Sequence, residues 1–243
     1  MAQNRGDLWH INNPQTVSVT QMLAMIEYGT MNTQTAIEEG VVTIDNISGV
    51  NCSSITGSTT DLGSATGHAE STINEREGRR YVYTSAGRRA ISYRGAENIW
   101  GNHTEMLRGI NIHAQNEQNL VFIDNESADF SLPAESGWIS GMGYGKEKFD
   151  WLYMPGATST SASSALPVGD YYWAPSGLLT NTSNMVITGG HWSAGQNDGL
   201  FYYGCDKPLD YYSHAFGARL VLIPIKNNIY ESNYAAWQAI IGG

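Results

Sequence analysis

The sequence has few cysteines, few basic residues and no long apolar run, and each shortage excludes a class of protein. Two cysteines in 243 residues, Cys52 and Cys205, are too few for a disulfide framework and too distant in sequence for a zinc knuckle, so they either pair or stay free. Lys and Arg number 13 against 23 Asp and Glu, and binding to a phosphate backbone needs clustered basic residues instead. We therefore expect no nucleic-acid partner.

The chain also lacks the patterns of membrane spans and metal sites. No apolar run approaches the roughly 18 residues of a membrane helix, so we expect no membrane insertion. The six histidines show neither His-x-x-x-His nor His-Glu-x-x-His spacing, so no zinc site is predicted. Asp124, Asn125, Glu126 and Asp129 could supply oxygens to a structural ion, but an acidic turn is the commoner meaning of such a cluster, so we predict no metal and no cofactor.

Helical spacing early in the chain and short apolar runs later predict an α+β domain. Val19, Leu23, Ile26 and Ile37 recur at helical steps, which predicts an amphipathic helix over about 17–39 that ends at Gly40. Ser18 and Gln21 have the spacing of its capping box. A second helix is predicted over 97–108, and the glycine-rich run 141–146 is predicted to be a turn. The predicted strands are 81–83, 90–93, 110–112, 120–123, 151–154, 185–187 and 220–223.

The segment from His191 to His214 has the composition of an antibody combining site. It holds four tyrosines together with several Ser, Gly and Asp residues. Tyrosine gives a large contact area with only two side-chain torsions to order, while Ser, Gly, Asn and Asp supply adaptable hydrogen bonds. The composition predicts a recognition surface, although the tyrosines could also pack inside, and alternation predicts that one of each Tyr-Tyr pair is buried.

One catalytic alternative lies in the same segment. His191-Trp192-Ser193-Ala194-Gly195 approaches the Gly-x-Ser-x-Gly nucleophile elbow, but His191 occupies the place of the first glycine. Gln-Asn-Asp-Gly follows instead of a helix, so a binding loop is favoured while a triad with His and Asp from elsewhere stays open.

Several runs together resemble the variable proteins of diversity-generating retroelements. These runs are Ala90 to Asn102 (AISYRGAENIWGN), Phe149 to Pro155, Leu166 to Tyr172, and the C-terminal frame from Gly-Gly-x-Trp to Gly-Ala-Arg-Leu. The resemblance covers residues 17–224, leaving 1–16 as an N-terminal lead-in and 225–243 as a C-terminal extension. It implies a C-type lectin fold related to that of the formylglycine-generating enzyme, with two helices, short antiparallel strands and long surface loops.

The resemblance also implies which positions bind. In such proteins, adenines of a template repeat are copied with errors, so codons for asparagine change into codons for many other residues. The positions that match variable ones are His191, Ser193, Ala194, Asn197, Asp198, Tyr202, Tyr203, Gly204, Asp206, Tyr211, Tyr212, Ser213 and His214.

The expected function is therefore recognition and not catalysis. The resemblance implies host recognition by a phage or prophage tail fibre, at a fibre tip on the virion, with a protein or glycan on a host or neighbouring cell as partner and a homotrimer as a possible assembly. A bacterial surface adhesin, outside the cell, is one alternative. A formylglycine-generating type of enzyme is another, but those relatives use two cysteines near the C-terminus, where this chain has Cys205 alone.

Overall fold

Strands dominate the fold. A computed structural model of the chain describes residues 5–6, 9–44, 53–115, 118–161, 169–175 and 182–222. Of these, 43% lie in strands and 15% in helices, and the main sheet is nearly closed on itself. The expectation of an α+β, C-type lectin fold with two helices and short strands is therefore wrong.

The described residues contain two α-helices and sixteen strands in the following order. They are β1 (Trp9–Ile11), α1 (Pro14–Tyr28), α2 (Thr33–Ala36), β2 (Gly67–His68), β3 (Thr72–Arg76), β4 (Arg79–Tyr83), β5 (Ile91–Tyr93), β6 (Ala96–Glu97), β7 (Thr104–Gln115), β8 (Gln118–Ile123), β9 (Glu126–Leu132), β10 (Gly137–Tyr144), β11 (Tyr153–Ser159), β12 (Tyr171–Trp173), β13 (Thr182–Gly189), β14 (Gly199–Gly204), β15 (Phe216–Gly217) and β16 (Leu220–Leu222). Single 3-10 turns lie at Thr60–Leu62, Glu147–Phe149 and Gly195–Asn197.

Nine strands form the main sheet, in the order β11-β10-β12-β14-β13-β7-β8-β9, with β15 beside β7. Neighbours are antiparallel except β12 with β14 and β15 with β7, which are parallel. The sheet curls until its ends approach each other. A Cβ at Gly143 in β10 would lie 2.4 Å from the Phe130 ring in β9, so any larger residue there would displace that ring. The glycine run predicted to be a turn lies largely in strand β10, where small residues permit this close approach.

Three small sheets flank the main one: β1 with β16, β3 with β4, and β2 with β5 and β6. The pairing of β1 with β16 brings part of the expected lead-in against the end of the described chain. The extension 225–243 lies outside the described residues.

Helix α1 begins and ends earlier than predicted. Asn13 is its N-cap, accepting a bond from the Thr16 amide at 2.9 Å, and Pro14 opens the first turn. Gly29 ends the helix in the left-handed conformation, with φ of 66°, and does not bend it. Ser18 and Gln21 form no capping box. Both are buried and form hydrogen bonds to the sheet. The Ser18 hydroxyl accepts a bond from the Tyr153 amide at 3.0 Å, and the Gln21 side-chain amide donates one to the Leu200 carbonyl at 2.9 Å.

The apolar stripe that predicted this helix faces solvent. Val19, Leu23 and Ile26 are exposed, whereas the buried face carries Val17, Ala24 and several polar residues that reach the sheet. The predicted second helix is also wrong, because residues 104–108 belong to the long strand β7. Its alternation of buried and exposed residues is satisfied only by pairing with β8 and β13.

Buried Asp170 connects two neighbouring parts of the main sheet. Its carboxylate accepts a bond from the Phe201 amide of β14 at 2.7 Å, and its carbonyl accepts one from the Ile139 amide of β10 at 3.0 Å. The same carboxylate lies over Gly199, where an added Cβ would approach it to 2.1 Å. Gly199 has φ of 140°, a region that disfavours side chains, so both sterics and backbone require glycine there.

Replacing Gly199 by alanine should therefore lower the free energy of unfolding by at least about 2 kcal/mol, because strain and a collision with Asp170 add together. Gly195→Ala is the matched control: φ is 63° and nothing lies within 4 Å of the added Cβ, so only the loss of about 1–2 kcal/mol for a left-handed residue applies. Urea unfolding of both variants measures the difference. Equal losses would contradict the role of Asp170.

Candidate functional site

The middle of the predicted recognition segment is core. All six residues of β14 are buried, and Tyr202 and Tyr203 are only 6% and 1% exposed. Tyr203 belongs to the main core and donates from its hydroxyl towards Gln21 and the Tyr153 carbonyl, each at 3.2 Å. Tyr202 packs on the opposite face with Met185 and Ile187. Both faces of this central strand are covered, so Tyr202, Tyr203 and Gly204 cannot contact a partner.

Asp198 is also not available for binding. It is fully buried, and neither carboxylate oxygen makes a hydrogen bond of normal distance and angle within the protein. Burial raises the pKa of Asp198 well above its usual value; the nearby His191 backbone amide opposes this shift, and the Asp170 carboxylate adds to it. The tight space above Gly190 accommodates this side chain, because a Cβ at Gly190 would overlap it. The predicted binding role of Asp198 is therefore replaced by a structural one.

The two ends of the segment do reach solvent. Tyr211 is 41% and Tyr212 90% exposed, so the second Tyr-Tyr pair does not alternate between inside and outside. Ser193 and His214 are exposed, and His191 is half-buried. We call these five residues the tyrosine–histidine surface. The other predicted residues, Ala194, Asn197, Asp206 and Ser213, are half-buried around it.

Buried Trp192 organises one half of this surface. The imidazole rings of His191 and His214 lie with centroids 5.7 Å and 5.6 Å from the Trp192 ring, and His103 lies at 5.4 Å. Trp192 itself is 1% exposed and packs with Val41, Ile44 and other residues of a second core cluster. Burial lowers the pKa of both His191 and His103, which favours neutral rings at neutral pH.

Tyr211 organises the other half. Its ring centroid lies 5.4 Å from that of Phe216, and the Lys207 ammonium lies 5.3 Å from its centroid. Lys207 also pairs with Asp206 at 2.5 Å. Turn hydrogen bonds from the Tyr211 amide to Pro208 and from the Phe216 amide to Ser213 fix the backbone on both sides of Tyr212. A large exposed ring on a restrained backbone loses little entropy on binding.

The loop between Trp192 and β14 is fixed by hydrogen bonds to Gln34 and to the chain at 42–44. Gly195 donates its amide to the Val42 carbonyl at 3.0 Å, and Gln34 donates to the Gly195 carbonyl at 3.1 Å. The Ile44 amide donates to the Trp192 carbonyl at 2.8 Å. These bonds attach the 3-10 turn at 195–197 to helix α2 and to the chain that follows it. The backbone on both sides of Ser193 is therefore restrained by hydrogen bonds, and we call this restrained backbone the rigid base.

The possible nucleophile does not have the geometry of a triad. Ser193 Oγ lies 3.3 Å from His191 Nδ1, at the outer limit of a productive pair. The nearest acid in sequence, Asp198, directs no carboxylate oxygen to a hydrogen-bond partner, so it does not orient the ring. Cys205 is a buried free thiol whose pKa burial raises, which disfavours the reactive thiolate. Cys52 lies outside the described residues.

Among the described residues, no group of three or more His, Cys, Asp and Glu residues could hold a metal ion. Within the same residues, every helix is too short or too polar to cross a membrane.

Sequence reasoning missed His103, Phe216 and Asp170 as neighbours of the site. His103 and Phe216 are brought beside Trp192 and Tyr211 by the pairing of β15 with β7. No local pattern in the sequence indicates this parallel pairing, because its two strands are separated by about half of the chain.

A scan of protein-family models and a search of curated proteins find no match to this chain.

Truncation of a tyrosine in each pair should change the free energy of unfolding by very different amounts. Tyr203→Ala should lower the free energy of unfolding by about 3–5 kcal/mol, because it removes a buried ring and leaves a cavity. Tyr212→Ala should change it by about 0.5 kcal/mol or less, because that ring is exposed. Guanidinium unfolding of each variant provides the measurement. A large loss for Tyr212→Ala would mean that the ring supports the fold.

Asp198 should make the protein less stable as pH rises. Its pKa is raised in the folded state, so above about pH 4 the unfolded chain has lost a proton that the folded chain keeps. Stability from this group is full below the unfolded pKa and falls until the folded pKa is reached. Asp198→Asn should match the wild type near pH 4 and exceed its melting temperature at higher pH. A variant less stable than wild type at every pH would contradict this.

Proposed function

We propose that this chain is a recognition domain without catalytic activity, which presents the tyrosine–histidine surface to a protein or glycan on another cell. The observation that carries the proposal is the 90% exposure of Tyr212, beside Tyr211, on a backbone fixed by turn hydrogen bonds. Exposed aromatic rings with restrained torsions are typical of interface hot spots. His191, Ser193 and His214 add hydrogen-bonding groups around them.

The rigid base supports the same proposal. Exposed loops that vary in sequence need a scaffold that does not depend on their side chains. Here the loop backbones are anchored to α2, to the chain near Val42 and to the main sheet through bonds between backbone groups or from Gln34. Substitution of the exposed side chains would leave those bonds in place.

We also propose that this chain is related in function to the variable proteins of diversity-generating retroelements. Of the thirteen positions that the resemblance marks as variable, Ser193, Tyr211, Tyr212 and His214 are exposed and His191 is half-buried. We propose a phage or prophage tail-fibre tip as the setting and an adhesin on a bacterial surface as the alternative. A homotrimer would raise a weak single-site affinity through avidity.

Combined replacement of Tyr211, Tyr212 and His214 by alanine should weaken binding to target cells by about 30-fold or more, since two hot-spot rings are lost. The melting temperature should stay near that of the wild type. Tyr144→Ala is the control, because Tyr144 is an exposed tyrosine at the C-terminal end of β10 and does not belong to the tyrosine–histidine surface. Flow cytometry of labelled protein on a panel of bacterial strains measures binding.

Two outcomes would contradict the proposal. Equal binding by the triple variant and the wild type would mean that recognition uses another part of the molecule. Absence of binding to every strain of a broad panel would contradict a target on another cell. Sequencing of the gene's surroundings tests the retroelement separately. We expect a near-identical repeat that differs at adenines, next to a reverse transcriptase gene.

A further inference from the structure

Helix α1 carries an apolar face that lies outside the core. Val19, Leu23 and Ile26 follow one another at steps of four and three residues, so their side chains are neighbours on one side of the helix, and all three are exposed. No described residue covers this face, whereas Val17 and Ala24 on the other side join the main core. A contiguous apolar face of this kind indicates a surface that packs against another element.

A groove of about 230 Å³ runs beside this face and shares Leu23 with it. Most residues that line the groove are apolar or carry methyl groups: Thr16, Val17, Thr20, Leu23, Ala96, Ile99 and Leu200. The Thr16 hydroxyl donates to the Asn13 side chain at 3.1 Å, and the Thr20 hydroxyl donates to the Thr16 carbonyl at 2.8 Å. Since these donors are already used within the helix, the groove offers mainly apolar contact.

The charged side chains at the groove are held in ion pairs. Arg94 pairs with Glu27 at 3.2 Å, and Arg219 pairs with Glu105 at 2.6 Å. Each pair joins one positive and one negative group, so the groove favours neither an acidic nor a basic occupant. An occupant with an uncharged, apolar side therefore fits it best.

The described part of the chain stops next to this groove. Arg219 lines the groove, and β16 follows it directly and pairs with β1, so that Leu222 lies opposite Trp9. From Trp9 the chain reaches the start of α1 at Pro14, at most about 18 Å away. The first six residues of segment 223–243 can extend over about 20 Å, a comparable length, so the segment can turn back to the helix.

The sequence of segment 223–243 suits the apolar face and the groove. Its large apolar residues recur at the spacing of one helix face: Tyr230, Tyr234, Trp237 and Ile241. Its only charged residues are Lys226 and Glu231, and neither belongs to that stripe. A helix over 229–241 would be about 20 Å long, close to the length of about 22 Å expected for α1.

We propose that segment 223–243 forms a helix that packs along α1, with its apolar stripe on Val19, Leu23 and Ile26 and in the adjoining groove. In this arrangement the segment covers the face that the described residues leave exposed. The two parts of the chain that β1 and β16 join are then held together by a second contact. The inference is independent of the proposed recognition function, because it involves none of the tyrosine–histidine surface.

A photoreactive benzoylphenylalanine in place of Ile26 tests the contact in the full chain. The Ile26 side chain is 83% exposed, so its replacement should leave the fold intact. Val82 is the matched control position, because it is an apolar residue of β4 that is 58% exposed. A mixture of isotopically heavy and light chains is irradiated and digested. Mass spectrometry then identifies the cross-linked peptides and shows whether both come from one chain.

We expect position 26 to cross-link to residues 229–241 of the same chain and position 82 to form no cross-link to them. Cross-links from position 26 to a second copy of the chain would overturn the proposal, since the face would then be an interface between copies. Cross-links only to other parts of the chain, or none at all, would overturn it as well.

A pair of aspartate variants tests the stripe. Trp237→Asp should remove most of the cross-link and lower the melting temperature by about 4 °C or more, because it places a charge in an apolar contact. Ala239→Asp is the control, because it adds the same charge on the opposite side of the helical pattern. It should behave like the wild type in both measurements. Equal effects of the two variants, or no effect of Trp237→Asp, would contradict packing through this stripe.

Discussion

Strand β14 is buried on both faces, and this constraint determines which residues of the segment from His191 to His214 can reach solvent. Phe201 and Tyr203 pack into the main core, while Tyr202 packs into a second cluster on the other side. The backbone pairs with β12 and β13, and the Asp170 carboxylate binds the Phe201 amide. Exposed side chains are therefore confined to the chain before and after the strand, where Ser193, Tyr212 and His214 reach solvent.

The buried carboxylates show how tightly this centre is packed. Asp170 and Asp198 lie close together in the core, and burial raises the pKa of each. Glycines at 190 and 199 make room for them, since any Cβ there would overlap a carboxylate. The same two glycines begin and end the loop that carries His191 and Ser193. The shape of the exposed loop thus depends on buried groups at its two ends.

The tyrosine–histidine surface lies next to a cleft that is lined by residues of 56–63, 95–103 and 216–219. Phe216 contacts the Tyr211 ring on one side and lines the cleft on the other, and His103 lies between the cleft and Trp192. The parallel pairing of β15 with β7 holds both residues in place. One short strand in this way holds residues on both sides of the wall between the surface and the cleft.

The sequence by itself determined that a helix lies early in the chain, the places of most of the short strands and the excess of acidic over basic residues. Local spacing and composition carry that information, because turns, alternation and charge act over a few residues. Only the tertiary structure decided that Val19 and Ile26 face solvent, that residues 104–108 form a strand, and that Tyr202 and Tyr203 are core. Burial depends on which strands pair across the chain, and tyrosine fits equally well against a core or a partner.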